Sequence, residues 1–399
     1  SFIPENFDVV ELLPEKTKEK VKKKKGKQES LKLDVATTIN INFSSPIQVA
    51  GFLKTITGKS PTDTNEKTLY KTYRQADGTL LPVVKALLDY READKLATTY
   101  GMTFYDENVH PITGRIHSNF MQMGTDSGRY SSNSPNLQNI PATKSYRAAF
   151  KAPKDYKIVG ADLAQFELRV LAELANQQEW IDVMNDPTGD LHRYVASVLY
   201  NLPEDQITKP LRTIGKTLNF ATAYGAGPMK IMETCNKAFT DLNIDKQMTF
   251  DEAKQVLRIY RASFEKVNQV LEQAVKDAKR LHYAYSDLDH RRRYLNNIDW
   301  SDPAMVAHAG NIAKNMKCQA PNASVTKRAL CAIRKRIKEN KLDAKIIVTV
   351  HDEIQCEVIA SQAESLAKIV EVEFIAAGKY YLKLVPVAVE VNISNHWEK

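Results

Sequence analysis

Two carboxylates each abut a strong apolar strand, a context that raises the odds of a chemical role. Asp162 ends the apolar stretch KIVGA, and Asp352 follows IIVTV after a single residue, His351. A carboxylate against an apolar strand is costly unless something positive faces it. Magnesium suits such a pair, because it takes one or two carboxylates together with substrate phosphates rather than a cage made wholly of protein. On these residues alone, helix caps and salt bridges remain the competing account. A second group, Arg212, Lys216, Phe220 and Tyr224, repeats every four residues, so all four share one helix face. Two cations there can hold a triphosphate, and two aromatics can stack on a base or sugar. The bland alternative is a surface helix with a half-buried aromatic edge. Gly225 and Gly227 suit the end of that helix and a turn.

The elements that must position these residues can be read around them. KIVGADL (157–163) reads as a short buried strand, so Asp162 sits at a strand end; a helix begins near Gln165 and runs on through the apolar positions up to Trp180 and Ile181. IIVTV and EIQCEV read as two strands about a tight turn, with Asp352 at the tip. Thr249 with Glu252 forms a capping box, and the apolar stripe from Val256 to Ala278 predicts one long helix after it. Another helix starts after Ser301, with Pro303 in its first turn, and should be perturbed at Pro321. Val83, Val84, Leu87, Leu88 and Leu96 predict an amphipathic helix between Leu80 and Tyr100.

The bulk properties narrow the partner. Lys and Arg exceed Asp and Glu to give a net charge of +8 over 399 residues, which favours an acidic partner, nucleic acid first. Lysines crowd Glu15 to Lys32, either as a solvated charged segment or as a phosphate-binding arm. The four cysteines, Cys235, Cys318, Cys331 and Cys356, form no metal or disulfide pattern, so a reducing compartment is expected. No apolar run approaches the roughly 18 residues of a membrane helix, and the N-terminus lacks a secretory pattern. A chain that starts at Ser1 can be a piece of something longer.

Taken together, the motifs resemble family A DNA polymerases, the DNA polymerase I type, from about Asn40 to the C-terminus. HPITGRIHSNF (110–120) and SGRYSSNSPNLQNIP (127–141) resemble the family's duplex-contacting stretch. DLAQFELR (162–169) is similar to its first catalytic motif, RTIGKTLNFATAYG (212–225) to the second, on the fingers helix, and VHDE (350–353) to the third. DLH (190–192) and HRRRYL (290–295) fall between them in the family's order.

The resemblance implies roles. Asp162 and Asp352, with the carbonyl of Leu163, would hold two magnesium ions, for which manganese could substitute. Arg212, Lys216 and His192 would hold the triphosphate, and Lys216 would protonate the leaving group. Glu167 resembles the steric gate against a ribose 2′ hydroxyl, with Gln165 beside it. Phe220 would pack on the incoming nucleotide, and Tyr224 would occupy the template-base position until the fingers close. Arg129, Asn136, Gln138, Asn139, Asn315, Gln319 and His351 would contact primer-template DNA. Glu353 would shape the site more than it ligates metal.

The implied fold is α+β, a right hand with an antiparallel palm sheet and helical fingers and thumb. Its expected parts are a basic segment (1–36), the thumb region (37–105), a first palm part (106–190), fingers (191–305) and a second palm part (306–399). The expected activity is template-directed addition of deoxynucleotides to a primer in replication or repair, by a monomer in the cytoplasm of a bacterial or phage-infected cell, or in an organelle. No 3′–5′ exonuclease is expected in this chain. Ala320 and Pro321 depart from the Gly-Thr common after the family's glutamine, and Asn311 stands where Arg is common; Ala142 and Thr143 also break the usual run. These departures touch primer gripping rather than chemistry. A single-subunit RNA polymerase is opposed by Glu167, Phe220 and the HDE triplet. An inactive accessory subunit is opposed by the intact Asp162, Asp352, Arg212 and Lys216.

Overall fold

The computed structural model describes residues 41–75, 79–141 and 143–398, so the lysine-rich segment lies outside the described residues. Two compact units divide the chain, Ser1–Glu107 and Asn108–Lys399. In the first, α1 (Pro46–Thr57), α2 (Glu66–Tyr73) and α3 (Pro82–Tyr100) are followed by α4 (Met102–Asn108). Val49, Leu53, Leu69, Tyr73, Val84 and Leu87 form its core, with Val83 and Leu88 partly buried against it, so these four residues of the stripe read from the sequence make the inward face of α3, without Leu96.

The second unit is organised on a four-stranded antiparallel sheet whose strands, in order across it, are Ala344–Val350, Glu353–Ile359, Tyr156–Leu163 and Val389–Ser394. Ahead of it lie the short pair β1 (Asn119–Met121) and β2 (Ser131–Asn133) and the turn α5 (Lys144–Arg147); the sheet strands are β3 (Tyr156–Leu163) and, after the second hairpin β4 (Tyr283–Tyr285) and β5 (Arg292–Tyr294), β6 (Ala344–Val350), β7 (Glu353–Ile359) and β8 (Val389–Ser394). Strand alternation splits the sheet by face. Val159, Ala161 and Leu163 of β3 join Ile354, Cys356 and Val358 of β7 in one apolar core. Asp162, paired in register with Glu353 and Glu390, therefore points to the opposite face.

The helices of this unit are α6 (Phe166–Ala175), α7 (Gln178–Asn185), α8 (Leu191–Tyr200), α9 (Lys209–Ala223), α10 (Pro228–Asp241), α11 (Phe250–Ser263), α12 (Glu265–Leu281), α13 (Pro303–Glu339) and α14 (Ala363–Lys379). α13 and α14 cover the apolar side of the sheet through Val325, Ala329, Ile333, Leu366, Val370 and Phe374. α6 to α12 enclose a second core around Trp180, Leu218, Phe239, Tyr260 and Phe264.

Two helices expected to be continuous are broken. The capping box at Thr249 forms, but the helix it opens stops at Ser263, because Phe264 leaves helical geometry at φ −116° and ψ 55°. Phe264 is then buried with its ring 5.5 Å from Trp180 and 5.1 Å from Tyr260. The helix after Gln165 also ends early: Asn176 takes a left-handed conformation and its N–H caps Ala172 and Glu173, so Trp180 lies on a separate helix. Pro321, by contrast, is accommodated inside the 37-residue α13.

Candidate active site

One end of the sheet collects the two candidate metal carboxylates. Asp162 is the penultimate residue of β3, and Asp352 lies in the two-residue turn between β6 and β7, where His351 adopts φ 55°. The N–H of Leu163 donates to the carbonyl of Asp352 at 3.3 Å, which fixes the strand end against the hairpin tip. Asn322 of α13 reaches the same place, its Nδ2 lying 3.4 Å from Asp352 Oδ2. Asn315, Gln319 and Asn322 fall at positions i, i+4 and i+7 of that helix, so they share the face that meets Asp352.

Glu353 is occupied elsewhere. It is 2% exposed and accepts from Arg147 Nη1 at 3.0 and 3.2 Å, from Gln355 Nε2 at 2.7 Å and from Trp397 Nε1 at 2.5 Å. The Arg147 guanidinium also sits 4.7 Å over the Trp397 ring. Among the described residues no group of three or more His, Cys, Asp or Glu side chains is arranged to hold a metal ion. Two carboxylates brought to one sheet end are an all-oxygen, incomplete donor set of the kind magnesium completes with water and phosphate, so the residue types fit that ion.

Glu167, on the first turn of α6, is a junction. Its Oε1 accepts from Arg129 Nη2 at 2.6 Å, and its Oε2 accepts from the Tyr224 hydroxyl. Burial, then the neighbouring Glu167 carboxylate, push the Tyr224 phenol well above its ordinary pKa, so it stays a donor. Tyr224 is the C-cap of α9 rather than a member of its helical face, and Gly225 beyond it takes φ 72°. Gln165 precedes α6 in a left-handed conformation.

On α9, Lys216 is exposed and Phe220 half-buried, whereas Arg212 of α9 and His192 of α8 are already engaged. Arg212 Nε donates to Asp190 Oδ2 at 2.5 Å, and Asp190 Oδ1 caps α8 by accepting from the N–H groups of His192 and Arg193. Burial raises the Asp190 carboxyl, but Arg212 and the Arg193 N–H hold it below its ordinary value. His192 is 3% exposed, with its ring 5.7 Å from Phe220. Its pKa is pushed down to about 4, by burial first and then by Arg212 and Lys216.

The remaining predicted contacts are mixed. Gln138 Nε2 donates to the Thr349 carbonyl at 3.0 Å and Asn136 Oδ1 caps the Gln138 N–H, while Asn139 and His351 are exposed. Sequence reasoning assigned no role to Asp190, Asn219, Asn322 or Arg147. The first two lay inside recognised motifs, but nothing in spacing alone shows that Asp190 meets Arg212 or that Arg147 meets Glu353.

The model of DNA polymerase family A matches residues 11–399. DNA polymerase I of Thermus aquaticus, a thermostable enzyme, is 32% identical over 320 residues, covering 79% of this chain and 36% of that protein. DNA polymerase I of Geobacillus stearothermophilus is 33% identical over 314 residues, covering 76% of this chain and 34% of its own length. The chain thus spans about a third of these relatives. Among solved structures, the POL domain of Pol1 from M. smegmatis, in complex with DNA primer-template and dNTP, matches with a TM-score of 0.75 and 30% identity, over 90% of this chain and 61% of that one. The α+β right-hand polymerase class follows from that match, and the chain belongs to DNA polymerase family A.

Proposed function

We propose that this chain is a template-directed DNA polymerase that adds deoxynucleotides to a primer 3′ hydroxyl and releases pyrophosphate. The observation that carries the reading is the meeting of Asp162 and Asp352 at one sheet end, with Asn322 of α13 against Asp352. Asp162, Asp352 and the Leu163 carbonyl would hold magnesium, which when bound activates the primer hydroxyl and neutralises the triphosphate. Lys216, exposed on α9, holds phosphate oxygens and gives its proton to the leaving pyrophosphate. Arg212 adds a second cation once it shares or leaves Asp190.

Glu167 closes the space beside the sugar and so selects deoxyribose. Its carboxylate is pinned by Arg129, which makes it a rigid wall. Tyr224 is held at Glu167, and rotation of α9 toward the cleft breaks that bond and admits the template base. Arg129, Asn136, Gln138, Asn139, Asn315, Gln319 and His351 contact the duplex, where minor-groove acceptors are alike for every correct pair. The partners are primer-template DNA and deoxynucleoside triphosphates. The working form is a monomer in a DNA-containing, reducing compartment, and no helix among the described residues is long and apolar enough to cross a membrane.

Extension of a labelled primer with magnesium decides the matter. Wild type should extend with deoxynucleotides and not ribonucleotides, and Asp352→Ala should lose at least about a thousand-fold in rate while still binding primer-template. Tight binding without extension by wild type would point instead to an inactive accessory subunit.

A further inference from the structure

Asn219 is 0% exposed inside the second core, on the face of α9 turned toward α8. Its Nδ2 lies 3.0 Å from Nδ1 of His192. Buried polar side chains are retained at a cost, and the Oδ1 of Asn219 accepts no hydrogen bond in this arrangement. An amide placed in an apolar core with one atom unsatisfied is expensive for stability alone, and its one partner is a residue assigned to the triphosphate.

A neutral imidazole has one N–H donor and one acceptor nitrogen. If Nδ1 accepts from Asn219, the proton must sit on Nε2, where it can donate to an anion. The reverse arrangement gives Nδ1–H to the amide oxygen and turns the Nε2 lone pair toward a polyanion, which is repulsive. We propose that Asn219 is a positioning residue for His192, holding the ring in its neutral Nε2–H tautomer so that Nε2–H donates to an oxygen of the incoming triphosphate. The proposal rests on the polymerase reading for its ligand, but the tautomer can be measured without any ligand. Burial and the cations Arg212 and Lys216 oppose protonation of the ring, against the weaker pull of Asp190. The site thus receives a directional donor where a third cation would be crowded.

The full chain labelled with ¹⁵N-histidine reports the tautomer directly, with His192 assigned among the eight histidines by its loss in His192→Gln. A protonated Nε2 and an unprotonated, hydrogen-bonded Nδ1 at neutral pH are expected. A proton on Nδ1, or an imidazolium, would overturn the proposal. Steady-state kinetics supply the second readout. Asn219→Leu should raise KM for deoxynucleotide about ten-fold or more with kcat within a few-fold, and should add nothing in a His192→Gln background. Equal effects in both backgrounds would mean a structural role only, and would overturn it. Should Asn219→Leu fail to fold, the wild-type spectrum still decides. An unchanged KM in His192→Gln alone would remove the triphosphate half of the proposal, whereas failure of the polymerase reading itself would show as no extension by wild type.

Discussion

Glu353 and Asp352 are chain neighbours with different work. Strand alternation sends Glu353 into a pocket where Arg147, Gln355 and Trp397 satisfy it, while Asp352 stays at the hairpin tip. Removing one partner of a buried ion pair leaves the other uncompensated, so Glu353→Ala should cost about 3–5 kcal/mol in urea unfolding. A variant as stable as wild type would show that Arg147 finds water instead. His192 gives a pH prediction. Its folded pKa of about 4 lies below the ordinary 6.5, so the unfolded chain takes up the proton first as pH falls. Its contribution to stability is intact above the ordinary value and is lost as pH falls from there toward about 4. Unfolding free energies measured across that window should fall more steeply for wild type than for His192→Gln.

At the scale of elements, the contact of α8 with α9 governs the nucleotide side of the site. A Cβ on Gly215 would meet the His192 carbonyl at 2.2 Å and the Ala196 nitrogen at 3.2 Å, so only glycine permits the approach. The Asp190–Arg212 pair and the His192–Asn219 bond span the same junction. Gly215→Ala should therefore cost about 1–3 kcal/mol by overpacking. It should also raise KM for deoxynucleotide; a stability loss with KM unchanged would separate this junction from nucleotide binding. Helix α11 is a simpler case: both halves of its capping box form, so Thr249→Ala should lower stability by about 1 kcal/mol in the same unfolding assay.

For the whole molecule, a net charge of +8 predicts that primer-template affinity falls with salt, through release of counterions from the phosphates that lysines and arginines neutralise. Replacing Lys22 to Lys25 by Gln should weaken binding and flatten the slope of log affinity against log salt, if that run joins the interface. An unchanged slope would place that run outside the interface and leave the charge requirement to other cations of the chain, Lys216, Arg291 and Lys327 among them. The four cysteines are all free, so binding and extension should be indifferent to reductant.

The sequence by itself determined whatever depends on near neighbours in the chain. The strand end carrying Asp162, the hairpin turn carrying Asp352, the cap at Thr249, the start of α13 at Pro303 and the cations Arg212 and Lys216 on α9 are all local, because period, capping and turn chemistry act over a few residues. Tertiary structure decided the rest. It broke two expected helices, at Phe264 to bury that ring against Trp180 and at Asn176 through a left-handed cap. It also joined Arg147 to Glu353, Arg129 and Tyr224 to Glu167, and Asn322 to Asp352. Those partners lie tens to hundreds of residues apart, and which pairs meet is fixed by how helix faces pack on the sheet, an outcome no local pattern encodes.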